Sequence, residues 1–161
     1  MKKIILFALI LSYSYTLLSQ TSLPSIELKN IDGEYIKIEN TVEKDQVLVI
    51  SLWATWCVPC INELDAIQEY YEDWQEETNF KLIAISIDNA RTTSRVKPLV
   101  NGKEWEYEVL LDVNQDFKRA LNANTVPYLV IVKNNKIVYS HSGFTPGSEI
   151  ELYEKIKEIA Q

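Results

Sequence analysis

The sequence predicts a three-layer α/β domain built on a central mixed β-sheet. Two nearly continuous apolar runs, QVLVISLW at 46–53 and FKLIAISI at 80–87, read as strands buried on both faces. Stretches with helical apolar spacing follow them, the strand–helix alternation of α/β proteins. A hairpin and a closing helix end the chain, so antiparallel strands join the parallel ones.

Ahead of the first run, 26–28 and 35–38 flank Asp32-Gly33, a hairpin signal. The run 46–53 leads into a helix over 59–77, whose apolar stripe is Leu64, Ile67, Tyr70 or Tyr71, and Trp74. After the second run a helix covers part of 90–100 and a short strand covers 107–111. Asn114 is placed to cap a helix through Leu121. Strands at 128–132 and 136–142 are separated by Asn134-Asn135, a tight-turn signal. The last helix opens on Ser148-Glu149-Ile150-Glu151, a capping-box pattern, with Ile150, Tyr153, Ile156 and Ile159 as its apolar positions. No internal repeat, low-complexity segment or second domain is visible, and 143–147 reads as a loop.

The chain has 161 residues with 16 basic and 23 acidic side chains, a formal charge of −7. Its 47% apolar content is enough to bury a core, which excludes global disorder. Lys2 and Lys3 are the only charges among the first 20 residues, so the remainder is more acidic still. An acidic body without basic clusters excludes nucleic-acid binding. Two cysteines and one histidine cannot supply the four ligands of a structural zinc site, and they exclude a disulfide-rich scaffold. The acids Glu63, Asp65, Glu69, Glu72, Asp73, Glu76 and Glu77 lack the ligand alternation and turn glycine of a calcium loop and read as a solvated helix face. His141 reads as a surface histidine. No metal site is expected.

Residues 1–19 read as a secretory signal: a basic start, the apolar run 4–11, then small and polar residues. An uncleaved membrane anchor is the rival reading. Ser12 and Ser14 interrupt the run, which falls short of the roughly 20 residues a span needs. Leu17 departs from the small-x-small pattern before Ser19. Both readings expect one domain, 20–161, outside the cytoplasm and most simply in the periplasm, either soluble or tethered by the uncleaved signal.

The chemistry is carried by Trp53-Ala54-Thr55-Trp56-Cys57-Val58-Pro59-Cys60, where a buried strand ends and the long helix begins. A three-residue step around a helix start brings two sulfurs within bonding reach. Pro59 suits the first helical turn, where its missing N–H costs nothing. Cys57 then sits where unpaired N–H groups and the helix dipole favour a thiolate, the attacking species in disulfide exchange. Cys60, one turn in, is better shielded and suits the resolving role. The rival is a structural disulfide, although closing so short a loop removes little unfolded-chain entropy. Glu63, three residues beyond Cys60, shares its helix face. It reads either as a proton carrier for the shielded thiol or as a solvated acid near a helix start.

These residues, with Thr125-Val126-Pro127 before a later strand, resemble the thioredoxin superfamily over about residues 24–160. More narrowly the chain is similar to TlpA/ResA-type exported thiol–disulfide oxidoreductases. The signal, the amino-terminal hairpin and the inserted helix–strand segment at about 88–111 carry that narrower likeness. The resemblance implies a thioredoxin-like fold with those two additions. It also implies that Glu63 transfers protons and that the Val126–Pro127 bond is cis, facing the dithiol. The backbone of Val126 is then open to an extended substrate beside Cys57, with Trp56 in the contact surface. Trp53 reads equally as rim or core, and Phe144 as groove border or packing. One departure stands out: Ser51 occupies the position of the buried aspartate of ordinary thioredoxins, which leaves Glu63 to carry proton transfer alone.

The expected activity is reduction of disulfides in exported proteins through Cys57 and Cys60, with cytochrome c maturation as the setting the resemblance suggests. A membrane thiol–disulfide carrier would supply electrons. The dithiol is itself the redox centre, and no metal, flavin or nucleotide cofactor is implied. Val58-Pro59 lacks the histidine of strongly oxidising relatives, which favours the reductant over an oxidase or isomerase of the same fold. A thiol peroxidase is disfavoured because no proline–threonine pocket of the usual spacing precedes Cys57. The alternative of another class is a non-catalytic binding domain with a structural disulfide.

Overall fold

The computed structural model describes residues 21–161, so the expected signal lies outside the described residues. Seven strands form one sheet: β1 (Glu27–Asn30), β2 (Tyr35–Lys37), β3 (Leu48–Trp53), β4 (Lys81–Ser86), β5 (Glu108–Leu111), β6 (Tyr128–Lys133) and β7 (Lys136–Ser142). Their order is β2-β1-β5-β4-β3-β6-β7. The two apolar runs are the parallel centre, with Leu48 opposite Lys81 and Trp53 opposite Ser86. Every residue of β3 is buried, as are Leu82 to Ser86 of β4, so both faces of the sheet are covered. Strand β6 runs antiparallel to β3, which makes the sheet mixed.

The hairpin forms as the turn chemistry requires. The Asn30 side-chain oxygen accepts from the N–H groups of Asp32 and Glu34, and Gly33 takes a φ of 90°. Ile38, expected in the second strand, instead enters a short 3₁₀ turn and is fully buried. Strand β1 pairs antiparallel with β5 through Lys29–Leu111 and Asn30–Leu110. The amino-terminal hairpin therefore covers the edge that the inserted strand would otherwise expose.

The helix expected over 59–77 is two helices, α1 (Val58–Gln68) and α2 (Tyr71–Thr78). At the break the Tyr70 N–H bonds to Ile67 O at 3.1 Å, a tightened turn that ends α1. The break turns Tyr71 inward against Phe80 and Tyr107 and leaves Tyr70 outside, stacked on Trp74. Asn79 closes α2 in the left-handed region, its N–H bonding to Gln75 O at 2.8 Å.

Helix α3 (Val96–Lys103) covers part of 90–100 as expected, runs three residues beyond it, and follows a 3₁₀ turn at Thr93–Arg95. Two caps differ from expectation. Helix α4 (Asp116–Ala120) is held by Asp112 rather than Asn114: the Asp112 carboxylate accepts from the N–H groups of Phe117 and Lys118 at 3.2 and 2.9 Å. In α5 (Ser148–Ala160) the reciprocal box does not form. Glu149 instead accepts from the Gly147 N–H at 2.9 Å, and Ile150 stays exposed while Ile156 is buried. Asn134 and Asn135 take φ of 51° and 61°, the paired left-handed turn that joins β6 to β7.

Candidate functional site

The loop leaving β3 carries the cysteines to the start of α1. Cys57 is the extended residue just before that helix, Pro59 lies in its first turn, and the Cys57 N–H bonds back to Ala54 O at 3.0 Å. Cys57 and Cys60 are joined by a disulfide across a Cα–Cα distance of 5.3 Å. Cys57 keeps 5% exposure and Cys60 none, the asymmetry a helix start produces when one sulfur precedes the first turn and the other lies within it. Trp56 is 58% exposed and Val58 65%, so an apolar rim flanks the less buried sulfur. Trp53, by contrast, is core: it is fully buried and meets Trp105 edge to face at 5.0 Å.

Strand β6 reaches the same place from the other side. Leu52 pairs with Tyr128, so continuing the antiparallel register sets Pro127 and Val126 beside the residues that follow Leu52. The Val126–Pro127 bond is cis, and Pro127 O accepts from the Gly143 N–H at 2.9 Å. Pro127 is buried and Val126 half-buried, while Thr125 is exposed.

Glu63 lies on the inner face of α1 and is 4% exposed, so it is not part of the solvated acidic face. Burial pushes its pKa up to about 7, against a smaller opposing effect of the Ser51 hydroxyl, which donates to Oε2 at 2.8 Å. Ser51 is thus a partner of the carboxyl and not a mere vacancy in an aspartate position. A cleft of about 20 Å³, enough for one water, runs from Glu63 to the surface between His141, Phe144, Glu149 and Glu151. His141 is exposed as expected, and both it and Phe144 border this cleft at Glu63. Asp65 also leaves the solvated set: it accepts from Trp105 Nε1 at 3.0 Å and pairs with Lys103 at 2.5 Å.

Sequence reasoning passed over Asp88, whose carboxylate holds Thr55 in the loop ahead of Cys57. The available signal was its place at the carboxyl end of a buried parallel strand, where α/β proteins gather their sites. Among the described residues no group of three or more His, Cys, Asp and Glu side chains could hold a metal ion. No helix among them is long and apolar enough to cross a membrane.

The chain is 27% identical over 110 residues to sporulation thiol-disulfide oxidoreductase A of Bacillus subtilis (strain 168), covering 67% of this chain and 64% of that protein. It is 25% identical over 133 residues to the thiol-disulfide oxidoreductase ResA of Bacillus thuringiensis (strain Al Hakam), covering 82% and 74%. Among solved structures, an uncharacterized thioredoxin-like protein from Porphyromonas gingivalis is 50% identical, with a TM-score of 0.75 over 86% of this chain and 91% of that one. StoA from Bacillus subtilis shares the fold at 20% identity and a TM-score of 0.65, over 81% and 99%. The AhpC/TSA family matches residues 20–141, so the chain belongs to that family and has its thioredoxin-like fold.

Proposed function

We propose that this protein reduces disulfides in exported proteins through the Cys57–Cys60 pair. It is a thiol–disulfide oxidoreductase, the activity named for its relatives. The observation that carries the reading is a cysteine pair at a helix start with a buried carboxyl on the same helix face. In the reduced protein the Cys57 thiolate attacks one sulfur of a substrate disulfide. A Cys57–substrate disulfide forms, and the other substrate sulfur leaves as a thiolate that takes a proton from water. Glu63 then accepts the proton of Cys60, whose thiolate attacks Cys57 Sγ. The Cys57–Cys60 bond forms, and the second substrate sulfur leaves as a thiolate that takes the proton held by Glu63, so two electrons and two protons in all pass to the substrate. The Val126 backbone and the Trp56 side chain seat an extended substrate segment beside Cys57. A membrane thiol–disulfide carrier returns two electrons to the pair. The setting is the periplasm, with the amino-terminal signal either removed or kept as a tether, and apocytochrome c is the substrate to seek first.

Trapping tests this. Cys60→Ser leaves the mixed disulfide unresolved, so exported proteins should be held covalently on Cys57 and released by dithiothreitol. Recovering apocytochrome c assigns cytochrome maturation, and recovering varied exported proteins assigns a general reductant. No adduct at Cys57 sinks the reading. A reduction potential near the thioredoxin value of about −270 mV marks an electron donor, and one near −120 mV an oxidase.

A further inference from the structure

The exchange steps leave one buried acid beside the cysteine loop without a task. Asp88 follows β4 and is 1% exposed. The Thr55 N–H and the Ser86 hydroxyl donate to its Oδ2 at 2.7 and 2.8 Å, and the Thr55 hydroxyl donates to Oδ1 at 2.7 Å. The N–H of Asp88 donates in turn to Ser86 Oγ at 3.1 Å. Burial pushes this carboxyl up, but the donors outweigh burial and hold it below the ordinary carboxylate value. It is a buried anion at neutral pH.

Thr55 sits in the turn between β3 and α1. The turn is closed at one level by the Cys57 N–H on Ala54 O, and Asp88 grips its interior through both a main-chain and a side-chain donor. Charge-assisted bonds to both kinds of donor restrain the residue from which Trp56 turns outward and Cys57 turns in. The charge has its own effect. A carboxylate in a low-dielectric setting, bonded to Thr55 two residues before Cys57, opposes a thiolate there, against the helix amino terminus that favours one. A less stable thiolate means a less stable reduced pair, and such a pair gives up its electrons more readily.

We propose that Asp88 is a positioning residue that holds Thr55 beneath the cysteine turn and biases the Cys57–Cys60 pair toward electron donation. This rests on the proposed redox role. Its direct measure is the equilibrium constant of the pair with glutathione, which exists whether or not any substrate is turned over. A failed substrate trap and a failed Asp88 bias are therefore separate results.

Two full-chain variants divide the claim. Asp88→Asn keeps size and one acceptor but removes the charge. Its Cys57 thiolate, followed by ultraviolet absorbance, should form at lower pH. Its equilibrium with glutathione should shift about three- to tenfold toward the dithiol. Asp88→Glu keeps the charge but displaces Thr55. Its equilibrium should stay within about twofold of the native value while alkylation of Cys57 slows at least about threefold. A clamp with only a structural role would move the melting temperature of either variant and neither of these readouts. Native titration and equilibrium in Asp88→Asn, or a shift toward the disulfide, overturns the electrostatic bias. Native alkylation in Asp88→Glu overturns the positioning. If Asp88→Asn does not fold, Asp88→Glu still decides the positioning claim.

Discussion

The Ser51 hydroxyl donates to Glu63 Oε2 at 2.8 Å, tying the strand that enters the cysteine motif to the helix that leaves it. Both groups are buried, so neither can exchange this partner for bulk water without opening the core. A donor favours the ionised carboxyl, and desolvation favours the neutral one. The balance leaves Glu63 near pH 7, where it can take a proton and give it back.

Ser51→Ala removes the donor and leaves desolvation unopposed. The pH profile of the resolving step should move upward by about one unit, since a hydrogen bond to a charged group is worth about 1.5 kcal/mol. The two phases of thionitrobenzoate release from Ellman's reagent report the two steps separately. An unmoved second-phase profile would disconnect Ser51 from the carboxyl's titration.

Glu63→Gln should slow that second phase at least about tenfold and leave the first within about twofold, because in the proposed exchange only Cys60 gives its proton to this carboxyl. It also changes stability with a definite sign. Folded Glu63 holds its proton up to about pH 7, whereas the unfolded chain releases it near 4.5. Native stability therefore falls as pH rises through that window, by up to ~3 kcal/mol, and the cost persists above it. The variant should lose this slope and outlast the native protein in urea at pH 8, with little difference at pH 4.

Trp56→Ala strips the largest exposed apolar group beside Cys57. Catalytic efficiency toward a folded protein disulfide should fall about tenfold, the usual cost of a central aromatic contact. Reaction with Ellman's reagent, which needs no extended contact, should change by less than about threefold. Equal losses on both substrates would move Trp56 from substrate contact to loop structure.

Trp105→Ala should cost about 3 kcal/mol in denaturant unfolding. Trp105 meets Trp53 and Tyr107 at ring-centroid distances of 5.0 and 5.5 Å and donates to Asp65. It thereby fastens the segment after α3 to α1. A loss below about 1 kcal/mol would show that the surrounding side chains close over the space the ring leaves.

The centre of the fold was readable because its signals are local. Residues 46–53 and 80–87 are apolar on both faces, and the end of such a run followed by Pro59 marks a helix start. Both cysteines and Glu63 fell within ten residues of that junction. The break at Tyr70 was not readable, because Tyr70 and Tyr71 fit the apolar stripe equally. Phe80 and Tyr107, distant in sequence, chose between them. Asp112 and Asp88 escaped for the same reason. An acid after a strand looks alike whether it meets water or the N–H groups of another loop.

Periodicity, turn residues and cysteine spacing are properties of neighbours along the chain, so they placed the central strands, the helix start and the cysteine pair. Packing brought the rest: Ser51 onto Glu63, Asp88 under Thr55, and the hairpin β1–β2 onto the inserted β5. Those contacts set which carboxyls are ionised and which edges are covered. They depend on desolvation and on donors far along the chain, and the folded arrangement decides both.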